Sequence, residues 1–256
     1  MSLEMLSHDA LADVWARAGL DAPIRFDEVT GSTNAAAAEL ARVGAPEWTV
    51  VAAGHQTAGR GRLGRGWVDR PGAALLCSIV LRPPIGPEAA GAVPLLVGTA
   101  LAEAIADTAE AAAGCKWPND VLVDGRKAAG VLAEGAVHDD RIAFVVVGIG
   151  VNLGEPPLPD VGSVRGVGAP ELLGAFLDAF VPRYRPAAET FAQDVVDAYR
   201  PWCVTLGRRV RATTTTGKSV EGEAVDLDAN GGLLVDTGAE VVTVSFGEVE
   251  HLRPAR

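Results

Sequence analysis

The chain has 256 residues, of which 48% are hydrophobic, and a formal net charge of −11. This length suits one large domain, or one domain with a small second one. The acidic balance argues against a general affinity for DNA or anionic membranes, because both attract net positive charge. The three cysteines are too far apart to predict a zinc site or a disulfide framework, which fits a reducing cytoplasm. We find no signal-peptide pattern and no continuous apolar run of about 18 residues, so no transmembrane helix is expected.

The first third of the chain is predicted to contain two helices and three strands. In order, these are a helix over residues 3–18, a strand over 24–29, a helix over 35–43, and strands over 48–53 and 74–81. Ser32, Thr33 and Asn34 precede the second helix, where such side chains usually cap the N-terminus. The same three groups could also form hydrogen bonds with a neutral polar ligand.

The last two of these strands are joined by a segment, residues 59–67, that we call the Arg/Gly loop. It reads GRGRLGRGW and places Arg60, Arg62 and Arg65 among four glycines. Glycine lets a backbone approach a ligand closely, and arginine binds phosphate and carboxylate. We therefore expect a loop that closes over an anion, with Gln56 just before it adding to the pocket. A solvated surface loop and a nucleic-acid contact are the alternatives, and the single aromatic residue, Trp67, weighs against the second.

The middle of the chain is predicted to form a helix and then a series of strands. The helix covers residues 89–113, and the strands cover 115–117, 119–123, 127–134 and 142–147, with a hairpin turn at 124–126. Asn119 can donate to and accept from a heteroaromatic ring edge. Asp120 could hold a metal ion or orient a lysine, although Pro-Asn-Asp is also a common turn composition. Lys127 could neutralise a carboxylate and a phosphate brought together, or be an ordinary exposed lysine.

Two glycines follow the fourth of these strands. Gly148 and Gly150 permit close approach of the backbone, and Asn152 could reach a base or ribose. The spacing is neither a dinucleotide-binding fingerprint nor a P-loop, so any ATP site would be unorthodox. Residues 154–168 are rich in Pro and Gly and are expected to form a long loop, which in compact domains is often functional.

In the last third of the chain the sequence pattern changes from helical to strand-like at Gly207. Before it, residues 170–199 are predicted to be helical with a break at Pro182 and Pro186. After it, short strands are predicted over 208–214, 219–227, 232–236 and 240–246, which suggests a small barrel. The expected division is therefore a domain over residues 1–206 and a second over 207–256.

Taken together and in this order, the motifs strongly resemble those of biotin protein ligase. They are Gly31-Ser32-Thr33-Asn34, the Arg/Gly loop, Lys116-Trp117-Pro118-Asn119-Asp120, Gly125-Arg126-Lys127-Ala128-Ala129-Gly130, and Gly148-Ile149-Gly150-Val151-Asn152. The resemblance implies an α/β (α+β) fold, with an SH2-like mixed-sheet catalytic domain and a small SH3-like β-barrel. It also implies a ligase that forms biotinyl-5′-AMP from ATP and biotin and then transfers biotin to a carrier lysine.

The resemblance also implies roles for single residues. Lys127 and Arg62 would be catalytic, and Asp120 would bind Mg²⁺ or position groups. The biotin-binding residues would be Ser32, Thr33, Asn34, Gln56, Gly59, Arg60, Arg62, Trp67, Lys127 and Gly130. The ATP- and adenylate-binding residues would be Arg62, Arg65, Trp67, Asn119, Lys127 and Asn152. Leu63 is a departure, because some family members have arginine there.

The implied partner is the biotin carboxyl carrier domain of acetyl-CoA, acyl-CoA or pyruvate carboxylase, with no nucleic acid and no membrane. Only about 23 residues precede the first strand, which suggests a ligase without the N-terminal DNA-binding domain of bifunctional relatives. A ligase for lipoate or another acyl group is the nearest alternative, although lipoate needs a more apolar pocket. A nucleic-acid-binding regulator is a third hypothesis, and the acidic net charge weighs against it.

Overall fold

A computed structural model describes residues 4–214, 217–245 and 247–252. Seven strands form a mixed sheet in the order β1-β2-β3-β7-β6-β5-β4, in which β1 and β2 are parallel and the other neighbours antiparallel. The strands are β1 (Ile24–Asp27), β2 (Val50–Ala53), β3 (Ala74–Leu81), β4 (Ala113–Lys116), β5 (Asp120–Val123), β6 (Arg126–His138) and β7 (Arg141–Asn152).

The two faces of this sheet are covered unequally. The helices are α1 (His8–Arg17), α2 (Thr33–Arg42), α3 (Ala92–Ala109), α4 (Ala169–Phe180) and α5 (Phe191–Tyr199). On one face, α3 packs against β4, β5 and β6, and α4 and α5 pack on α3, so this side holds the larger core. On the other face, α2 packs its alanines against Val51, Val80, Phe144 and Val146. The rest of that second face is left for the Arg/Gly loop and a cavity beneath it.

Helix α3 is apolar almost all round because it lies between the sheet and two other helices. The segment Pro87–Ala109 is long and apolar enough to cross a membrane by composition, but 67% of its most apolar stretch is buried within the fold. We therefore interpret it as a core helix.

The C-terminal part forms a separate antiparallel sheet of five strands in the order β11-β10-β9-β8-β12. Its strands are β8 (Arg209–Thr214), β9 (Ser219–Leu227), β10 (Leu233–Asp236), β11 (Val241–Val244) and β12 (Gly247–His251). Trp117 joins it to the first sheet, since its backbone N–H donates to Thr205 Oγ1 at 3.0 Å and its indole N–H donates to the Gly231 carbonyl at 2.9 Å. The predicted fold class is thus confirmed.

Most predicted elements are present, with four corrections. The first helix begins at His8, capped by Ser7, and the helix predicted over 89–113 ends at Ala109 because β4 begins at Ala113. Residues 148–152 continue β7, which was predicted to end at residue 147, and β12 was not predicted. The predicted helix start at residue 3 and the predicted strand end at residue 246 lie outside the described residues.

Candidate active site

The floor of the cavity is a patch of sheet in which three glycines leave few side chains. Gly130 of β6 pairs with Gly150 of β7, and Gly148 of β7 pairs with Ser78 of β3, so all four residues face the same side. A Cβ atom at Gly148 would lie 2.7 Å from Asn34 Oδ1, and one at Gly150 would lie 2.7 Å from Trp67 Cε2. The glycines therefore leave room for side chains that lie flat on the sheet.

The N-terminus of α2 forms one wall. Ser32 caps the helix by accepting from the Ala35 N–H at 3.4 Å, as its position in the sequence predicted. Thr33 donates to Gln56 Oε1 from both its backbone N–H (2.7 Å) and its hydroxyl (3.1 Å), and it accepts from the Ser78 hydroxyl at 2.8 Å. Because Gln56 Oε1 already accepts twice, the amide nitrogen of Gln56 keeps its N–H donors for other partners.

The Arg/Gly loop forms the opposite wall as a small hairpin. Arg60 bridges to Gly66, Gly61 N–H donates to the Arg65 carbonyl at 2.7 Å, and the turn falls at Leu63, which has a φ of 53°. That left-handed backbone costs a leucine about 1 kcal/mol. The glycines on either side of this turn let three arginine side chains line one cavity.

A buried carboxylate holds the two ends of this loop together. The Asp69 side chain is fully buried, and its Oδ2 lies 2.7 Å from His55 Nδ1. Its Oδ1 accepts from the Gln56 N–H at 3.3 Å. Trp67 N–H also donates to the Gly59 carbonyl at 2.9 Å, so the segment before the loop is fixed to the segment after it.

Trp67 lies across the glycine floor. The Nζ atom of Lys127 is 5.9 Å from the centroid of its ring, within the range of a cation–π contact. The indole nitrogen is buried and has no hydrogen-bond partner among the described residues. A buried donor without a partner is costly, which indicates that a ligand or water completes this part of the site.

The remaining cations are held in place by acids and amides. Lys127 Nζ lies 2.7 Å from Asp120 Oδ1 across the β5–β6 hairpin. Arg62 donates to Asn119 Oδ1 at 3.2 Å, and Asn119 Nδ2 donates to the Val131 carbonyl at 2.9 Å. Burial lowers the pKa of Arg62, and the charges of Glu248 and Asp120 oppose that shift. A guanidinium remains charged at neutral pH, so Arg62 is a partly desolvated cation that faces the cavity.

Glu248 shows that the C-terminal sheet takes part in the site. It lies on β12, lines the same cavity and forms an ion pair with Arg65. Arg62 also lines a second, more apolar groove next to the cavity. Leu95, Trp117 and Pro118 line the same groove. The cavity thus lies at the junction of the two sheets.

Nearly all the residues singled out from the sequence line this one cavity. These are Ser32, Thr33, Asn34, Gln56, Arg60, Arg62, Arg65, Trp67, Asn119, Asp120, Lys127 and Gly130. Sequence reasoning missed Ser78 and Glu248, which come from a buried strand and from the unpredicted β12. Only their place in the folded sheets brings them to the site, so no local motif marked them.

Two predicted residues are not among the residues that line the cavity. Gly59 lies behind it, where a Cβ atom would meet the Trp67 carbonyl at 2.6 Å, so its role is to let the loop close. Asn152 is buried and donates to the Gly162 carbonyl at 3.0 Å, while the Gly162 N–H donates to the Lys127 carbonyl at 2.8 Å. These hydrogen bonds connect Asn152 through Gly162 to the strand that carries Lys127, and its predicted contact with the nucleotide stays a prediction.

The described residues do not form a metal cage. No group of three His, Cys, Asp or Glu side chains in this part of the chain could hold a metal ion. The Asp120 carboxylate is engaged by Lys127, and the Glu248 carboxylate by Arg65. This arrangement supports the alternative in which Asp120 orients a lysine.

The fold and the cationic cavity are those of a protein ligase, as matches to two family models show. Residues 27–152 match the biotin/lipoate A/B protein ligase family, and residues 205–252 match the biotin protein ligase C-terminal domain. The chain belongs to the biotin protein ligase family. It is 40% identical over 240 residues to the biotin–[acetyl-CoA-carboxylase] ligase of Mycobacterium tuberculosis, covering 88% of this chain and 87% of that protein.

Other relatives agree with this assignment. The bifunctional ligase/repressor BirA of Bacillus subtilis is 31% identical over 88% of this chain and 73% of its own length. The structure of the Aquifex aeolicus biotin protein ligase in complex with biotin and ATP superposes with a TM-score of 0.73 at 24% identity, covering 90% of this chain and 99% of that one. At that identity the structural likeness concerns the fold.

Proposed function

We propose that this protein activates biotin with ATP to form biotinyl-5′-AMP and transfers the biotinyl group to a lysine of a carrier protein. The 40% identity to a named biotin–[acetyl-CoA-carboxylase] ligase supports this activity. The observation that carries it is the single cavity where Arg60, Arg62, Arg65 and Lys127 meet the polar start of α2. Four cations beside a neutral polar pocket suit a ligand with a carboxylate at one end and an uncharged polar ring at the other.

The first step joins two anions. A carboxylate oxygen of biotin attacks the α-phosphorus of ATP, the bond from that phosphorus to the bridging oxygen breaks, and pyrophosphate leaves. Arg62 and Lys127 offset the repulsion between carboxylate and phosphate, and they stabilise the charge that develops at the α-phosphoryl group. Asp120 holds the Lys127 ammonium, and Asn119 holds the Arg62 guanidinium, so neither cation has to be ordered as the reaction proceeds.

The second step is acyl transfer. The neutral amine of the carrier lysine attacks the acyl carbon of biotinyl-5′-AMP, an amide bond forms, AMP leaves with the electron pair of the broken C–O bond, and the amine loses a proton to solvent. Until then the acyl-adenylate must be kept from water. The Arg/Gly loop, closed by the pairing of Asp69 with His55 and by Trp67 on the glycine floor, supplies that cover.

The biotin ring is assigned to the wall made by α2 and its neighbours. Ser32, Thr33, Asn34 and Gln56 offer hydroxyl and amide groups that match a cyclic urea, with Arg60 and Trp67 closing over the ring. Gly59 and Gly130 act by leaving space for Trp67. This polar wall favours biotin over lipoate, whose dithiolane ring has no hydrogen-bond donor.

The nucleotide is assigned to the other end of the cavity, with Arg62, Arg65, Trp67, Asn119 and Lys127 around the phosphates and adenosine. Arg65 would exchange its ion pair with Glu248 for a phosphate. Asn152 would support this end from behind. Mg²⁺ binds proteins through one or two carboxylates together with substrate phosphates. Because both carboxylates that line the cavity, those of Asp120 and Glu248, are already in ion pairs, Mg²⁺ would enter with the nucleotide, and we assign no step to a protein-bound ion.

The proposed partner is a biotin carboxyl carrier domain, that of acetyl-CoA carboxylase being supported by the names of the relatives. Carrier domains of acyl-CoA or pyruvate carboxylase are further candidates, and we propose neither a nucleic-acid nor a membrane partner. Such an enzyme would act in the cytoplasm, where its ATP and apo-carrier are found. We further propose that residues 1–206 form the catalytic domain and 207–256 the small C-terminal domain.

The experiment that tests this function is a labelling reaction. Purified protein is incubated with ATP, Mg²⁺, biotin and an apo-carrier domain, and labelled carrier is detected with streptavidin. A parallel reaction supplies lipoate and an apo-lipoyl domain. Biotinyl transfer alone is the expected result. Lipoyl transfer without biotinyl transfer would overturn the assignment.

A further inference from the structure

Asn34 has an unusual combination of contacts. Its side chain is 3% exposed and lines the cavity beside Gly148. Its Nδ2 donates a hydrogen bond to Glu134 Oε2 on β6, whereas its Oδ1 is buried with no hydrogen-bond partner among the described residues. An unpaired buried acceptor carries a free-energy cost, because it has lost its hydrogen bonds to water. This cost is relieved when a ligand presents an N–H group.

The pairing with Glu134 decides which end of the amide faces the cavity. An ionised carboxylate only accepts hydrogen bonds, so the amide must turn its NH₂ group toward Glu134 and its oxygen away. The oxygen then points toward Gly148, where a Cβ atom would lie 2.7 Å from it. Without Glu134, the amide could rotate by 180° and present a donor to the ligand.

Glu134 is placed for this task by the sheet. On β6, Glu134 lies two residues after Leu132 and therefore on the same, cavity-facing side of the sheet. Leu132 pairs with Gly148 of β7, and Glu134 pairs with Val146. It is itself exposed at the edge of a shallow cavity shared with Glu39, Arg42 and Arg60. Because it is exposed, the Glu134 carboxylate keeps contact with water while one of its oxygens accepts from the buried amide.

We infer that Glu134 is a positioning residue that fixes the Asn34 amide with its oxygen toward the ligand and thereby selects a ligand ring bearing an N–H donor. This rests on the proposed function, in which the cyclic urea of biotin supplies that N–H. Glu134 touches no reacting atom, and it acts on affinity and selectivity through Asn34. A ligand with a dithiolane ring in place of the urea leaves Asn34 Oδ1 unpaired.

The test is the Glu134→Ala variant, with steady-state kinetics and biotin titration by calorimetry. We expect KM and Kd for biotin to rise about tenfold or more, KM for ATP to stay within about twofold and kcat within about threefold. Glu39→Gln is the matched control, because it removes a neighbouring negative charge whose partner is Arg42 and not Asn34. The control keeps the biotin KM of the wild type.

A charge-swapped pair separates positioning from simple packing. Asn34→Asp alone sets two carboxylates against each other and weakens biotin binding more than tenfold. Adding Glu134→Gln restores a donor on the other side of the pair, so that the introduced aspartate again offers an oxygen to the cavity. The double variant should recover to within about threefold of the wild-type Kd. A double variant no better than Asn34→Asp alone overturns the inference.

Selectivity gives a readout that a purely structural role would not change. Two biotin analogues are compared with biotin, each with one ureido N–H replaced by oxygen. Wild-type enzyme should disfavour one of them by about tenfold, and Glu134→Ala should disfavour it by less than threefold. Equal discrimination by both enzymes, or an unchanged biotin KM in Glu134→Ala, refutes the inference. Failure of wild-type protein to bind biotin would instead refute the proposed function.

Discussion

Gly150→Ala should separate loop closure from folding. The added methyl group would lie 2.7 Å from Trp67 Cε2 and 2.8 Å from Cζ2. Carbon atoms in contact prefer separations of about 3.5–4.0 Å, so the indole ring must retreat by roughly 0.8 Å or more. Because Trp67 belongs to the Arg/Gly loop and not to the core, we expect the loop to yield and the sheet to remain.

The size of the effect follows from the cost of overpacking. Inserting a methyl group into a tight contact costs about 1–3 kcal/mol. If the closed loop bears this cost only when ligand binds, biotin affinity falls by about 5- to 150-fold. Gly130→Ala should have a smaller effect, since its nearest contact with Trp67 would be 3.3 Å.

The assay is calorimetric titration with biotin, together with thermal unfolding of each variant. Gly174→Ala is the matched control, because Gly174 lies in α4 and a Cβ atom there meets nothing within 4 Å. The control should keep its biotin affinity and gain up to about 1 kcal/mol of stability from helix propensity. A Gly150→Ala variant that binds biotin as tightly as the wild type would refute the contact between Trp67 and the sheet. So would one that loses only stability.

Three further predictions concern charges around the site. Lys127→Ala should slow adenylate formation by about 10²–10³-fold, and a pyrophosphate-release rate equal to the wild type would contradict its role. Arg62→Gly should speed escape of preformed adenylate by about tenfold or more, measured with radiolabelled biotinyl-5′-AMP, and unchanged retention would argue against Arg62 as its anchor. Burial lowers the pKa of His251, whose Nε2 lies 3.1 Å from Thr205 Oγ1, so the folded state favours the neutral ring. The stability from this preference is present above about pH 6.5 and is lost as pH falls below it. Tm should therefore drop more between about pH 7.5 and 5 in the wild type than in His251→Gln, and parallel profiles would refute this.

The strands that the sequence predicted best are those whose side chains are buried on both faces. Residues 74–81 form β3 with all eight residues buried, and a continuous apolar run is the expected signal for such a strand. The β7 strand was cut short in the prediction, because Gly148 and Gly150 are unfavourable in strands. Hydrogen-bonded neighbours on both sides, β3 and β6, hold these glycines in the sheet regardless.

The site was predictable where a local motif carries several of its groups, and unpredictable where the fold supplies one group at a time. The Arg/Gly loop and the β5–β6 hairpin each bring neighbouring residues to the cavity. Glu248 reaches Arg65 from 183 residues away, and Glu134 reaches Asn34 from 100 residues away. Asn152 belongs to a recognised motif, but only the fold shows that its amide donates to the Gly162 carbonyl.

Because the core and the cavity lie on opposite faces of the seven-stranded sheet, core residues and site residues can be substituted separately. One face buries Leu75, Ile79 and Val147 against helices and contributes most of the apolar burial. The other face has glycine at positions 130, 148 and 150, so the sheet is not packed by side chains where the ligand is proposed to bind. Burial on the first face therefore compensates for a cavity, an unpaired Asn34 oxygen and an unpaired Trp67 nitrogen on the second. Ligand binding, which fills that cavity, should raise Tm of the wild type more than that of Gly150→Ala.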